Sequence, residues 1–209
     1  LFIYPNTYGM NMLPPAIALF SSLLKQRGYS VDLFDATYYQ TDHGVDSDGT
    51  KATRLNVVPF SPSDKGIKMR DTDWRDDIKA KVKTFQPDLI ALSTTEDMWL
   101  LGARMLEEIE EFILRHRIPV IAGGVFPTFA PELVIRHHLV DMVCVGEGEV
   151  TLIDLCDRIK KGDSWNDVTN LWVKQKDGSI TKNPIAKSFE INDTPIIDID
   201  LFEEQRLYR

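Results

Sequence analysis

The sequence predicts an α/β fold: a doubly wound, five-stranded parallel sheet, followed by a β-hairpin and an extended tail. Three observations carry this expectation. Short apolar runs alternate with helical spacings through residue 162. The runs are apolar throughout, which calls for a sheet covered on both faces. Glycine and proline punctuate the junctions.

The elements follow in order. Leu1–Tyr4 reads as the first strand, and Pro14-Pro15 opens a helix with Ile17, Phe20, Leu23 and Leu24 on its apolar side, closed by Gly28. Ser30–Phe34 is a second strand. Asp71-Thr72-Asp73 supplies capping residues for a helix marked by Trp74, Ile78, Val82 and Phe85, which Pro87 stops. Asp88–Ser93 is a third strand. Met98, Leu101, Met105, Ile109 and Phe112 predict the longest helix, running to about His116. Pro119–Ala122, a short helix over Pro131–His137, and Asp141–Val145 come next. Val150, Ile153, Cys156 and Ile159 mark a last helix, ended by Gly162. Right-handed crossovers make flavodoxin-like strand order the expected topology. Leu171–Lys174 and Ser179–Thr181 flank Lys176-Asp177-Gly178 as a hairpin, and residues 184–209, with Pro184 and Pro195, read as a linker. The expected division is therefore an α/β domain over 1–165 and a hairpin with linker over 166–209.

Composition narrows the function. A net charge of −8 argues against nucleic acid or an anionic membrane as the main partner, and no apolar run approaches a membrane span. Two cysteines, Cys144 and Cys156, make no disulfide framework, which suits a cytoplasmic setting. The chain lacks an initial Met and stops at Leu207-Tyr208-Arg209, so it reads as a piece of something longer.

The unusual loops gather at the carboxyl ends of the strands, where ligands of such sheets bind: Pro5–Gly9, Ser93–Asp97, Gly123–Thr128 and Gly146–Glu149. Each has a plainer explanation. Gly123-Gly124 suits a tight turn, Ser93–Asp97 suits a helix cap, and Glu147 and Glu149 suit a helix dipole. Their convergence on one edge favours a ligand that needs close access to the backbone. Common candidates fit poorly: Ser93 stands where a phosphorelay receiver has its Asp, the first loop offers one glycine rather than Gly-x-Gly-x-x-Gly, and Thr7 is its sole hydroxyl for an FMN phosphate. His43, His116, His137 and His138 fall outside metal-ligand spacing, and both cysteines read as buried small hydrophobes, so no metal site is expected. Ala36–Arg70 is polar and reads as a long loop, and its cluster Asp42, Gly44, Asp46, Asp48 and Gly49 lacks the EF-hand order of ligands.

The residues at these edges resemble the amino-terminal cobalamin-binding domain of cobalamin-dependent radical S-adenosylmethionine enzymes, along the whole chain. The resemblance rests on Leu13-Pro14-Pro15, Pro87–Ser93, Val120-Ile121-Ala122-Gly123-Gly124 and Val140–Leu152 with its Gly146-Glu147-Gly148-Glu149. The hairpin and the stretch Asp193–Phe202 are similar to that family's lead-in to its catalytic barrel. It implies a Rossmann-like cobalamin-binding fold, with the corrin over the carboxyl edge and its nucleotide tail between strand and helix layers. Asn6, Thr7, Tyr8 and Gly9 would lie beneath the corrin. Ser93, Thr94 and Thr95 would contact the tail, Gly123 and Gly124 would admit it, and Val125, Phe126 and Gly146, Glu147, Gly148 and Glu149 would flank it. A tail inserted at Gly123-Gly124 would leave cobalamin base-off, and the first loop lacks Asp-x-His-x-x-Gly, so no histidine ligand to cobalt is expected. The resemblance further implies a methyltransferase partner domain in the same polypeptide, carrying S-adenosylmethionine and a 4Fe-4S cluster. The competing expectation is a cofactor-free scaffold or interaction domain of the same fold.

The family's Cys-x-x-x-Cys-x-x-Cys is absent here. Anaerobic reconstitution of this chain with iron and sulfide is therefore expected to leave no stoichiometric cluster, because thiolate ligands are too few. Iron analysis checks it.

Overall fold

The computed structural model describes residues 1–8, 12–41, 62–188, 190, 192 and 194–207. Gly9, Met10, His43 and the Asp42–Gly49 cluster lie outside them. Strands β1 (Phe2–Tyr4), β2 (Leu33–Asp35), β3 (Ile90–Ser93), β4 (Val120–Gly123) and β5 (Met142–Cys144) pair in parallel in the order β2-β1-β3-β4-β5, as the flavodoxin-like expectation requires. The strand count does not hold. The hairpin strands β6 (Leu171–Lys174) and β7 (Ile180–Lys182) continue the same sheet, β6 antiparallel to β5, so the sheet has seven strands. Leu171 and Val173 are buried in the core, which draws β6 onto the open edge of β5 and covers its unpaired backbone.

Helices α1 (Pro15–Gln26), α2 (Trp74–Phe85), α3 (Trp99–Glu108), α4 (Glu110–His116), α5 (Val125–Phe129), α6 (Pro131–Val134) and α7 (Glu149–Lys161) fill the intervals. Two cores result. Ile17, Ala18 and Leu24 of α1 and Leu152 and Leu155 of α7 pack with Phe2, Ala91, Ile121 and Cys144 on one face of the sheet. Trp74, Ile78 and Val82 of α2 join Leu101, Met105, Ile109 and Ile113 over Ile3, Ile90, Leu92, Val120 and Ala122 on the other. Local signals place several ends. The Asp73 carboxylate accepts from the Arg75 N–H at 2.9 Å, and Gly162 leaves α7 at φ 73.

Three expectations are corrected. The long helix breaks at Ile109 (φ −110, ψ 14), where the Ile109 N–H turns to the Leu106 carbonyl. Its apolar face stays buried across the break, so periodicity could not mark it. Gly123 is the last residue of β4 rather than a loop residue, pairing with Ser93, and helical structure begins at Val125 instead of Pro131. Finally, the start of the 36–70 segment is not an open polar loop, since Ala36, Thr37, Tyr38 and Tyr39 are buried.

The tail is partly fastened. Ile196, Ile197 and Ile199 are exposed, whereas Phe202 and Arg206 are buried. Asp198 accepts from the Ser21 hydroxyl (2.5 Å) and Lys25 (2.6 Å) of α1, and its N–H donates to the Ala18 carbonyl. The Arg206 guanidinium, fully buried, faces the Asp35 carboxylate at 3.2 Å and donates to the Met12 carbonyl. Burial pushes the Asp35 carboxyl up, against the pull of Arg206 and the hydrogen bonds from Thr37. Removing one member of such a pair leaves a buried charge. Arg206→Met is expected to cost about 3–5 kcal/mol, and Asp35→Asn added to it should recover part of that loss. Urea unfolding of the wild type and the two variants checks both.

Candidate functional site

The carboxyl edge of the sheet gathers the loops singled out in the sequence. After β1, Asn6 and Thr7 are buried and Tyr8 is exposed. Asn6 is held by the fold itself, its amide donating to the Thr37 hydroxyl at 2.8 Å, and that hydroxyl donates to Asp35. After β3, the Thr94 N–H donates to the Gly123 carbonyl at 3.0 Å and its hydroxyl to the Thr95 carbonyl at 2.9 Å. Thr94 is buried and Thr95 exposed, with Ser93 half-buried between sheet and solvent. After β5, the Gly146 N–H donates to the Thr128 hydroxyl at 3.1 Å, tying the β5 loop to α5.

The two consecutive glycines do different things. Gly124 takes φ 109, ψ −169, a region open to glycine alone, and a Cβ there would lie 2.7 Å from the Thr94 carbonyl oxygen. The fold therefore explains Gly124 without a ligand. Gly123 is ordinary strand, and a Cβ there would meet Cys144 at a comfortable 3.7 Å. Its missing side chain leaves space on the sheet face.

That space is a cavity of about 180 Å³ between the sheet and the α1–α7 layer. Phe2, Ala91, Ser93, Ile121, Gly123 and Cys144 form the sheet side; Ala16 and Phe20 of α1 and Glu149 and Leu152 of α7 form the helix side. Gly124 and Gly146–Gly148 also line it. Small residues dominate the sheet side because Ala91 and Ile121 pair in register, as do Ser93 and Gly123. Gly148 is equally constrained: a Cβ on it would press to 2.8 Å of the Phe20 ring. A second, larger space at the opposite end of the same layer shares Phe2, Ala91 and Leu152 with the first.

Glu149 stands in the first turn of α7, where its charge suits the helix dipole. Its Oε2 is nevertheless buried with no hydrogen-bond partner among the described residues. A buried acceptor left unmade costs about 1–3 kcal/mol, so the site accommodates a donor there. Around the edge, Tyr8, Met12, Leu100, Val125, Phe129 and Val150 expose apolar side chains, each in the segment just after a strand. Phe126 instead packs against Trp99, ring centroids 5.9 Å apart.

The remaining candidates lie elsewhere. His137 and His138 face Glu107 and Glu110 on α3 and α4, and His116 packs on Phe112. Burial pushes the Cys144 thiol up to about 12 and the Cys156 thiol to about 11, so neither is a thiolate near neutrality. Among the described residues no group of His, Cys, Asp and Glu could hold a metal ion, and no helix is long and apolar enough to cross a membrane. The sequence reading missed Phe2, Ala16, Phe20, Ala91, Cys144 and Leu152 as lining. The available signal was Ala91 and Ser93 at alternate positions of β3, with Gly123 at the end of β4.

Gly124→Ala is expected to destabilise the chain by about 1–3 kcal/mol from backbone strain alone. Gly123→Ala, with no strain and an open Cβ position, should stay within about 1 kcal/mol of wild type. Thermal melting of the pair distinguishes the two glycines.

A family model described as the B12 binding domain matches residues 62–155. An uncharacterized methyltransferase of Pyrococcus horikoshii is 31% identical over 130 residues, covering 60% of this chain and 27% of the relative. The fold superposes on the cobalamin-dependent S-adenosylmethionine radical enzyme OxsB, solved with aqua-cobalamin and S-adenosylmethionine bound, at a TM-score of 0.69 and 20% identity over 96% of this chain and 24% of that one. It also matches the radical S-adenosylmethionine methyltransferase TsrM of Kitasatospora setae at a TM-score of 0.62 and 16% identity, over 88% of this chain and 29% of that one. The chain thus spans about a quarter of the length of the curated relative it matches. Over residues 62–155 the sequence thus matches the model of the B12 binding domain, and the fold is similar to those of OxsB and TsrM.

Proposed function

We propose that this chain is the cobalamin-holding part of a radical S-adenosylmethionine enzyme, a methyltransferase. The observation that carries the proposal is the cavity between the sheet and the α1–α7 layer, lined by Gly123 and by the loop after β5. Its residues fit the group. Ala91, Ser93 and Gly123 leave room against the sheet for a flat aromatic base, and Phe20 and Leu152 offer an apolar wall that keeps water from it. The exposed apolar residues around the edge would meet the corrin or the rest of the polypeptide. Cobalamin held there would supply a cobalt centre for methyl transfer, while S-adenosylmethionine and a 4Fe-4S cluster belong to the part of the polypeptide beyond the hairpin and tail. Relatives and structural neighbours that are methyltransferases or bind cobalamin support this assignment.

The cofactor would be held base-off, with the nucleotide tail in the cavity and thus away from cobalt. No described residue of the loop after β1 has an imidazole: Asn6 is turned to Thr37, and Thr7 is buried. His137 and His138 are engaged with Glu107 and Glu110.

Incubation with hydroxocobalamin followed by desalting should leave a corrin absorbance bound to the chain. In the reduced cob(II)alamin complex, electron paramagnetic resonance should show cobalt lines without the triplet splitting of a nitrogen ligand. Gly123→Leu, which overfills the cavity at a position the fold tolerates, should weaken binding by at least roughly tenfold. Retained affinity in that variant, or triplet splitting, would contradict the assignment.

A further inference from the structure

Beyond the general placement of the cofactor, we infer that Glu149 is the residue that makes this site select corrinoids bearing a complete nucleotide tail. The inference rests on the proposed function and on two observations at one place. Glu149 lines the cavity between the sheet and α7, and its Oε2 is buried without a hydrogen-bond partner among the described residues. Apart from Ser93 and the exposed Glu147, the rest of the lining is apolar or small: Phe2, Phe20, Ile121 and Leu152 bring no polar side-chain atom, so they hold any flat ring alike. A carboxylate oxygen in such surroundings is the discriminating element, because it gains only from a ligand that presents a hydroxyl or N–H. The ribose hydroxyls of a cobalamin tail belong to that chemical class. A corrinoid that ends before the nucleotide has nothing to place there.

The position is built rather than incidental. Glu149 is the first residue of α7, and Gly148 before it is pressed so closely on the Phe20 ring that a side chain is excluded. The start of α7 thus lies against Phe20 of α1, with Glu149 lining the cavity beside it. A carboxylate acceptor in a largely apolar wall rejects a ligand lacking the matching donor more strongly than an apolar wall rejects one of the wrong shape. Selectivity for the tail is therefore expected to reside in this residue more than in Ser93, which is half-exposed at the cavity mouth.

The test compares cobalamin with cobinamide, which lacks the nucleotide, by equilibrium titration of the 209-residue chain. Glu149→Leu should weaken cobalamin binding roughly ten- to hundredfold and leave cobinamide binding unchanged. Glu149→Gln, which keeps an oxygen acceptor, should fall between Glu149→Leu and wild type. An equal loss for both corrinoids would reveal a merely structural role and overturn the inference, as would undiminished cobalamin affinity in Glu149→Leu. A wild-type chain that binds neither corrinoid would instead overturn the proposed function, and the selectivity with it.

Discussion

The site depends on one constraint: the sheet face opposite α1 and α7 is stripped of bulk at its carboxyl end. Interiors pack to crystal-like density, so a gap between a sheet and its helices survives only where side chains are missing and cannot be replaced. Ala91, Ser93 and Gly123 supply the missing volume. Gly148 and Phe20 set the spacing from the other side, because their contact leaves no room for the helix layer to settle further. Deeper along the same face, Ile17, Leu24 and Leu155 close the core normally. This gap therefore sits at the edge where the loops converge, and the larger space lies at the opposite end of the layer.

A second set of contacts fixes the neighbouring edge. Arg206 from the tail meets Asp35 at the end of β2, and Asp35 holds Thr37, which holds Asn6 in the loop after β1. Arg70 pairs with Glu203, and Tyr38 donates to the Gln205 carbonyl. The tail therefore fastens onto the same end of the sheet as the loop proposed to lie beneath a corrin. A chain segment leading away from the domain and a loop facing the ligand share one buried polar network, and removing a charge from it would be felt at both. The buried pair adds specificity of placement more than stability, since its desolvation offsets much of its attraction.

Much of this was legible in the residues. Alternating apolar runs and helical spacings gave five parallel strands in their observed order, because burial on both faces leaves a strong period. The Asp73 cap and the Gly162 stop were local signals and held. The break at Ile109 was invisible, since an apolar stripe continues unbroken across it. The hairpin's union with β5 was equally hidden, because a hairpin signal says nothing about which edge it joins.

By itself the sequence determined the layered α/β architecture and the gathering of glycine-rich loops at one sheet edge. Both follow from local spacing and from the chirality of crossover connections. It could not divide the labour between adjacent glycines. Gly123 and Gly124 are identical as letters, and only the approach of the Thr94 carbonyl makes one a requirement of the turn and the other an opening in the sheet. Nor could it tell Glu149, whose Oε2 is buried, from Glu147, which lines the same cavity but is exposed. Whether a carboxylate near a helix start faces water or a dry cavity depends on what α1 places opposite it, through contacts more than a hundred residues apart in the chain, and distance of that kind is decided only by folding.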